Sequence, residues 1–307
     1  MTIKRKTKTA RPRIAVIGLG SMGFGMASAL MRAGFDVAGF DVVAENAAPL
    51  AGIGGEVAAS PAEAARGAGA VVSVVVNAAQ TEAILFGADG CAGAMPSGAV
   101  FISCATMAPD AVRGLAAKLE GSGRHYLDAP ISGGATRAAE GRLTILASGS
   151  KTAFDAARPA LKAMAGTLHE LGDEAGIGAG FKMVNQLLAG VHIAAACEAI
   201  AFAASMGLDL RRVYEVITGS AGNSWMFENR VPHILDADYA PRSAVNIFTK
   251  DLGIVLDMAR ATPLPVPMAG SALQLFLMTA SAGMAREDDA AVAKLFARIA
   301  DISLPGS

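Results

Sequence analysis

Cysteine is scarce in this sequence and is nowhere spaced as a metal-ligand set or a disulfide framework. The three thiols, Cys91, Cys104 and Cys197, lie far apart and are odd in number, so reduced, buried side chains are the expected state. The four histidines are equally scattered, and no metal site is expected. Net charge is also lacking: 26 Lys and Arg against 27 Asp and Glu leave -1, which offers nothing to a nucleic acid or other polyanion. The one basic run, Lys4, Arg5, Lys6, Lys8, Arg11 and Arg13, opens the chain and reads as a solvated tail over 1–12. No apolar stretch with a small-residue cleavage site follows it, and the expectation is a cytoplasmic protein. No low-complexity linker or fixed-period repeat interrupts the chain.

What is abundant is apolar surface. Hydrophobic residues make up 53% of 307 positions, and the mean hydropathy is +0.43, enough for a large core and for burial between subunits. Residues 187–208 are almost continuously apolar and long enough to cross a bilayer. His192 and Glu198 fall near the middle of that run, where charge is expensive in lipid, so a helix buried in a soluble core or a subunit interface is expected, with no membrane partner.

Short apolar runs bounded by turn residues predict strands over 14–18, 36–41, 70–76, 99–103, 125–129 and 143–148. Ala-rich stretches predict helices over 22–33, 60–67, 81–86 and 109–119, with Ser60, Pro61 and Glu63 forming a helix start. Alternation of the two predicts a mostly parallel sheet covered on both faces. From Gly176 onward only helical patterns remain, over 176–206, 210–218, 244–261, 266–284 and 287–300. The expected organisation is an α/β domain of Rossmann type over 13–173 and an all-α domain over 174–307. Gly219 to Ser224 reads as a mobile, loop-like stretch, with Trp225 and Phe227 either walling a pocket or packing.

Gly18-Leu19-Gly20-Ser21-Met22-Gly23 ends the first strand and opens the first helix. In that context Gly18 permits the tight turn, Gly20 lets backbone approach a pyrophosphate, and Gly23 lets helix and strand pack closely. The helix N-terminus presents free N–H groups to the phosphates. Asp41, at the end of the second strand, can accept hydrogen bonds from ribose hydroxyls and would repel a 2′-phosphate, so NAD is expected over NADP. Ser132, Gly133 and Gly134 follow a strand end and can expose backbone N–H groups to a carboxylate. Lys182 sits early in a strongly apolar helix, where a lone ammonium is costly, so a lowered pKa and a role as general acid/base are expected. Asn185 and Gln186 lie one turn on, on the same helix face.

Four motifs in this order resemble the β-hydroxyacid dehydrogenase family, to which 3-hydroxyisobutyrate dehydrogenases belong, over residues 14 to about 300. They are the glycine turn at 18–23; Asp128-Ala129-Pro130-Ile131-Ser132-Gly133-Gly134 with Ala138-Ala139-Glu140-Gly141; Gly178-Ala179-Gly180-Phe181-Lys182-Met183-Val184-Asn185-Gln186; and Lys250-Asp251-Leu252. Gly178-Ala179-Gly180 stands nearer to Lys182 than the Gly-Ala-Gly-x-x-x-Lys of relatives.

The resemblance implies an NAD-dependent oxidoreductase of small hydroxy acids with Lys182 catalytic. It implies a substrate carboxylate on Ser132–Gly134, and an amide from Asn185, with Gln186 in reserve, on the substrate. Val76, Asn77, Thr106 and Lys250 complete the cofactor contacts, with Lys250 also reaching the substrate and Asp251 orienting it. The substrate is expected in a cleft between the domains, and a homodimer or homotetramer is expected through 187–208. The stretch from Lys182 to Ala199 is most similar to the branch that oxidises L-threonate, with 3-hydroxyisobutyrate and tartronate semialdehyde as the other substrates. Imine reductases and catalytically silent nucleotide-binding proteins share the scaffold but generally lack the lysine, so Lys182 argues against both.

Overall fold

The structure, a computed structural model, describes residues 12–306. The basic tail expected over 1–12 therefore lies outside the described residues but for Pro12. The chain forms two compact units that divide between Lys182 and Met183.

The first unit is built on a parallel sheet. Its strands are β1 (Arg13–Ile17), β2 (Asp36–Phe40), β3 (Glu56–Val57), β4 (Ala70–Ser73), β5 (Val100–Ser103) and β6 (His125–Asp128), in the spatial order β3-β2-β1-β4-β5-β6. All five pairings are parallel. Side chains alternate across the pleat, so one strand feeds two cores. Ile14 and Val16 pack on one face with Val37, Val72, Ile102 and Leu127. Ala15 and Ile17 pack on the other with Val71, Phe101 and Tyr126. This explains the continuous apolar runs: both faces are covered.

The helices of this unit are α1 (Ser21–Arg32), α2 (Ala44–Gly52), α3 (Pro61–Ala65), α4 (Ala78–Phe86), α5 (Pro109–Glu120), α6 (Gly134–Glu140) and α7 (Lys151–Met164). The start of α3 is as the sequence indicates: Ser60 Oγ accepts from Glu63 N at 3.1 Å, and Glu63 Oε2 reaches back to Ala59 N at 2.6 Å.

The sheet departs from expectation in two respects, the first being β3, an edge strand of two residues that the sequence did not signal. In the second, the run 143–148 does not join the parallel sheet. It forms β8 (Leu143–Ala147), central in a separate sheet of β7 (Ile131–Ser132), β8 and β9 (Ala165–Glu170). β7 is too short, and β9 too exposed, to leave a periodic apolar signature.

Helix α8 (Ile177–Ser205) starts in the first unit and continues into the second, ending where Gly207 adopts φ +71°. The second unit adds α9 (Leu210–Thr218), α10 (Trp225–Leu235), α11 (Val245–Ala261), α12 (Pro267–Thr279), a π-type turn at Ala280–Met284 and α13 (Val292–Ala300). No strand of two residues or more occurs there among the described residues; an isolated bridge joins Ala244 and Asp288. Ile193, Cys197 and Ile200 of α8 are central in its core, with Phe227, Val231, Phe248, Leu252 and Phe276. By length and composition α8 could cross a membrane, but half of its most apolar window is buried inside the fold, as in the core helix of a globular unit.

The stretch 219–224 is free of helix and strand, as expected, and leads into α10, a helix that the sequence did not announce. Ser224 Oγ accepts from Phe227 N at 3.0 Å as its cap, Phe227 packs in the core, and Trp225 remains half-exposed. Pro232 obscured this helix in the sequence, because proline removes the N–H that would bond the carbonyl four residues back. That carbonyl, Glu228 O, accepts instead from the Tyr214 hydroxyl of α9 at 3.1 Å.

Candidate active site

The glycine turn lies where β1 and β4 part, the point at which the strand order reverses. Gly18 has φ +90°, and an added Cβ there would stand 2.4 Å from Val74 O. A Cβ on Gly23 would stand 1.8 Å from Gly18 O. Gly20 meets nothing within 4 Å, so this position is open to an incoming group. Two glycines are thus fixed by packing, and the third leaves the space that a pyrophosphate requires. Ser21 is exposed and Met22 half-buried at the start of α1, while the Leu19 side chain is buried, leaving its backbone to face the turn.

Asp41 does more than end β2. Its Oδ2 accepts from Leu19 N at 2.7 Å, inside the glycine turn, and its Oδ1 accepts from Val43 N at 2.8 Å. The carboxylate therefore holds the turn. The next two side chains, Val42 and Val43, are exposed and uncharged, so neither offers a partner to a 2′-phosphate. Past β4, Val76 is exposed, and Asn77 caps α4 by accepting from Gln80 N at 2.9 Å. Thr106 is half-buried in the loop after β5.

Lys182 is only 6% exposed, and its Nζ donates to Ile131 O at 2.9 Å. That bond brings the amine to the loop that continues as Ser132, Gly133 and Gly134. Gly133 and Gly134 have φ +131° and +78°, which only glycine adopts without strain, and a Cβ on Gly134 would meet open space.

The glycines preceding the lysine are Gly176 and Gly178 in function, not Gly178 and Gly180. A Cβ on Gly178 would stand 2.4 Å from Leu146 O, and Gly176 takes φ +99°, whereas Gly180 has free space. Counted from these two, the interval to Lys182 is the usual three residues, and the apparent shortening disappears. The amides at this helix start are bonded to Asp128 Oδ2, from Gly176 N at 3.1 Å and Ala179 N at 2.7 Å, and to Ser148 Oγ, from Gly178 N at 2.9 Å. Asp128 headed the second motif, but its part in holding α8 was invisible without tertiary contacts.

In the second unit, four predicted residues form one chain of polar contacts. Asn185 Nδ2 donates to Gln186 Oε1 at 2.9 Å, and Gln186 Nε2 donates to Asp251 Oδ2 at 2.5 Å. Lys250 Nζ pairs with Asp251 Oδ1 at 2.7 Å. Gln186 and Asp251 are buried, so this pairing satisfies groups that would otherwise be costly. Of the two amides, Gln186 is buried and bonded to Asp251, whereas Asn185 is half-exposed and bonded to Gln186.

Comparison with known proteins covers both halves of the chain. Residues 13–172 match the family model described as the NAD binding domain of 6-phosphogluconate dehydrogenase, and residues 176–296 match that described as NAD-binding of NADP-dependent 3-hydroxyisobutyrate dehydrogenase. The chain is 52% identical over 293 residues to L-threonate dehydrogenase of Cupriavidus necator, covering 95% of this chain and 98% of that protein. It is 45% identical over 295 residues to L-threonate dehydrogenase of Escherichia coli K12, covering 96% and 97%. A crystal structure of 3-hydroxyisobutyrate dehydrogenase from Salmonella typhimurium superimposes with a TM-score of 0.88 at 46% identity, covering 92% of this chain and 99% of that one. Open space at Gly20, a buried lysine on the Ser132 loop and these matches over both halves lead to one conclusion: the chain belongs to the 3-hydroxyisobutyrate dehydrogenase family of NAD-binding, hydroxy-acid oxidoreductases.

Proposed function

We propose that this protein oxidises L-threonate at C2 to the 2-keto acid 2-dehydro-L-erythronate with NAD, and that Lys182 carries the proton. The observation that bears most weight is the buried Lys182 amine, 2.9 Å from Ile131 O and beside the Ser132–Gly134 loop. Identity of 45–52% to proteins named L-threonate dehydrogenase supports the substrate.

The residues divide the work as follows. Backbone N–H groups of Ser132, Gly133 and Gly134 receive the carboxylate, which orients C2 and its hydroxyl. Neutral Lys182 accepts the hydroxyl proton, and in the reverse direction its ammonium returns it. An amide one helical turn on, from Asn185 or Gln186, holds the substrate hydroxyl in line; Asp251 fixes Gln186 for this task. NAD, when bound on the turn 18–23, supplies the hydride acceptor. Asp41 favours a free 2′-hydroxyl.

The 3-hydroxyisobutyrate reading has one specific support, the Salmonella structure of that name. A panel of three- and four-carbon hydroxy acids assayed with NAD and with NADP separates the two. L-threonate activity no greater than that with the other acids overturns the substrate, and preference for NADP overturns the role of Asp41. Lys182→Ala is expected to lower kcat by ~10²–10⁴-fold while leaving NAD binding intact; full activity in that variant overturns the mechanism.

The protein is further inferred to be cytoplasmic and homo-oligomeric. A groove of about 800 Å³ in the second unit is lined by Phe202, Met206, Val216 and Phe227 among others. Phe202 is 65% exposed and Met206 52%, a patch of the kind that a second copy of the chain would cover.

A further inference from the structure

Helix α8 begins at Ile177 directly after Gly176, so it brings no side chain of its own to cap its first turn. The acceptors come from distant parts of the chain, Asp128 Oδ2 for the amides of Gly176 and Ala179 and Ser148 Oγ for that of Gly178. Both side chains are fully buried. Their backbones are locked together as well: Asp128 N donates to Ser148 O at 3.0 Å, and Ser148 N to Asp128 O at 2.8 Å. Lys182 lies one turn beyond Gly178 and Ala179, and its Nζ is bonded to Ile131 O. One short segment, Asp128-Ala129-Pro130-Ile131, thus grips the start of the helix at one end and the lysine amine at the other. Gly178 allows this closeness, since its missing Cβ would strike Leu146 O.

We propose that Asp128, assisted by Ser148, is a positioning residue that sets the first turn of α8 and so places the Lys182 amine for proton transfer. The proposal rests on the reading of Lys182 as the proton carrier. The ionised carboxylate is the form that best matches the positive end of the helix. Burial pushes the Asp128 carboxyl up to about 6, because desolvation outweighs the hydrogen bonds from Ala179, Gly176 and Ser148. Around it, Cys104 after β5 is pushed up to about 12 and Tyr126 on β6 is also raised by burial, so both stay neutral near pH 6. Arg113 of α5, beside Gly176, is paired with Asp110. Lys182 is the remaining ionisable group on α8 next to this segment.

The test is the pH dependence of kcat for reduction of 2-dehydro-L-erythronate with NADH. In that direction Lys182 gives its proton and imposes only an alkaline limb, so an acid limb near pH 6 belongs to Asp128. Wild-type kcat is expected to fall as pH drops through about 6. Asp128→Asn is isosteric and keeps an acceptor, but not the charge. It is expected to lose ~10–100-fold in kcat above that limb and to lose the limb itself, with NADH affinity within about twofold of wild type. Ser148→Ala is expected to lower kcat several-fold with its acid limb retained. Wild-type kcat and profile in Asp128→Asn, with Lys182→Ala inactive, overturns the positioning role alone. Full activity in Lys182→Ala overturns the proton-carrier reading, and this role with it. If Asp128→Asn fails to bind NADH, Ser148→Ala decides, and a wild-type kcat there overturns the proposal.

Discussion

Gly23 shows how much a single hydrogen atom can decide. Its Cα faces Gly18 O so closely that a methyl group would sit at 1.8 Å, and neither partner is a side chain that could rotate away. Gly23→Ala must therefore open the turn that Gly20 leaves clear. The expected result is a loss of ~1–3 kcal/mol of stability and at least tenfold weaker NAD binding, read by thermal unfolding and by cofactor fluorescence titration. A variant with normal NAD affinity would show that the turn does not carry the cofactor. Asp41 belongs at this scale too. Its place at the end of β2 was legible in the sequence, but its bond to Leu19 N became visible only when β2 was laid beside β1. The Asn185-Gln186 pair was legible as helical spacing. Which amide is held was decided by Asp251, distant in sequence.

At the scale of elements, α10 is the clearest case of a helix hidden by local chemistry. Pro232 normally ends helices. Here the carbonyl it abandons is satisfied by Tyr214 of α9, and the rings of Tyr214 and Phe227 stack at 6.1 Å. Tyr214→Phe keeps the stack and removes the hydroxyl. It is expected to cost ~1 kcal/mol of stability, with faster amide hydrogen exchange in the second half of α10 as the local signature. Unchanged exchange there would mean that Glu228 O needs no partner. The second sheet teaches a similar lesson. β8 alternates and was readable, but its neighbours β7 and β9 were not, because a two-residue strand has no period and β9 presents mostly exposed positions. Pairing partners 131–132 and 165–170 are recruited by the edges of β8, not announced by their own residues.

For the whole molecule, the apolar excess in the composition has two destinations. Much of α8 goes into the core of the second unit, while Phe202 and Met206 stay at its surface beside the groove. Phe202→Glu is expected to shift the protein to monomer in sedimentation velocity, with the α-helical content unchanged, because a charge there opposes burial against a second copy. An unchanged sedimentation coefficient would assign the groove to something else. Stability should also carry the mark of Asp128. Its carboxyl is raised to about 6 from an ordinary value of 3.8, so the native state binds the proton more tightly than the unfolded chain. The stability it contributes is present below pH 3.8 and is lost as pH rises through about 6. The difference in Tm between wild type and Asp128→Asn should therefore move against wild type across that window and then level off. On the proposed role, activity gains from the same ionisation that costs stability.

The sequence by itself determined the α/β-then-helical order, the glycine turn, the acidic end of β2 and the lysine, because each is a local pattern of spacing and residue type whose physics acts within one or two turns of chain. Tertiary structure alone decided that Asp128 and Ser148 cap α8, that Ile131 O receives the lysine, that Gly176 and Gly178 are the glycines the helix start needs, and that Gln186 is anchored to Asp251. Those are bonds between residues far apart in sequence, some about fifty positions or more, and no period in a single strand or helix encodes them. They form because a buried carboxylate, an uncapped helix end and a buried amine must each find a partner wherever the folded chain supplies one.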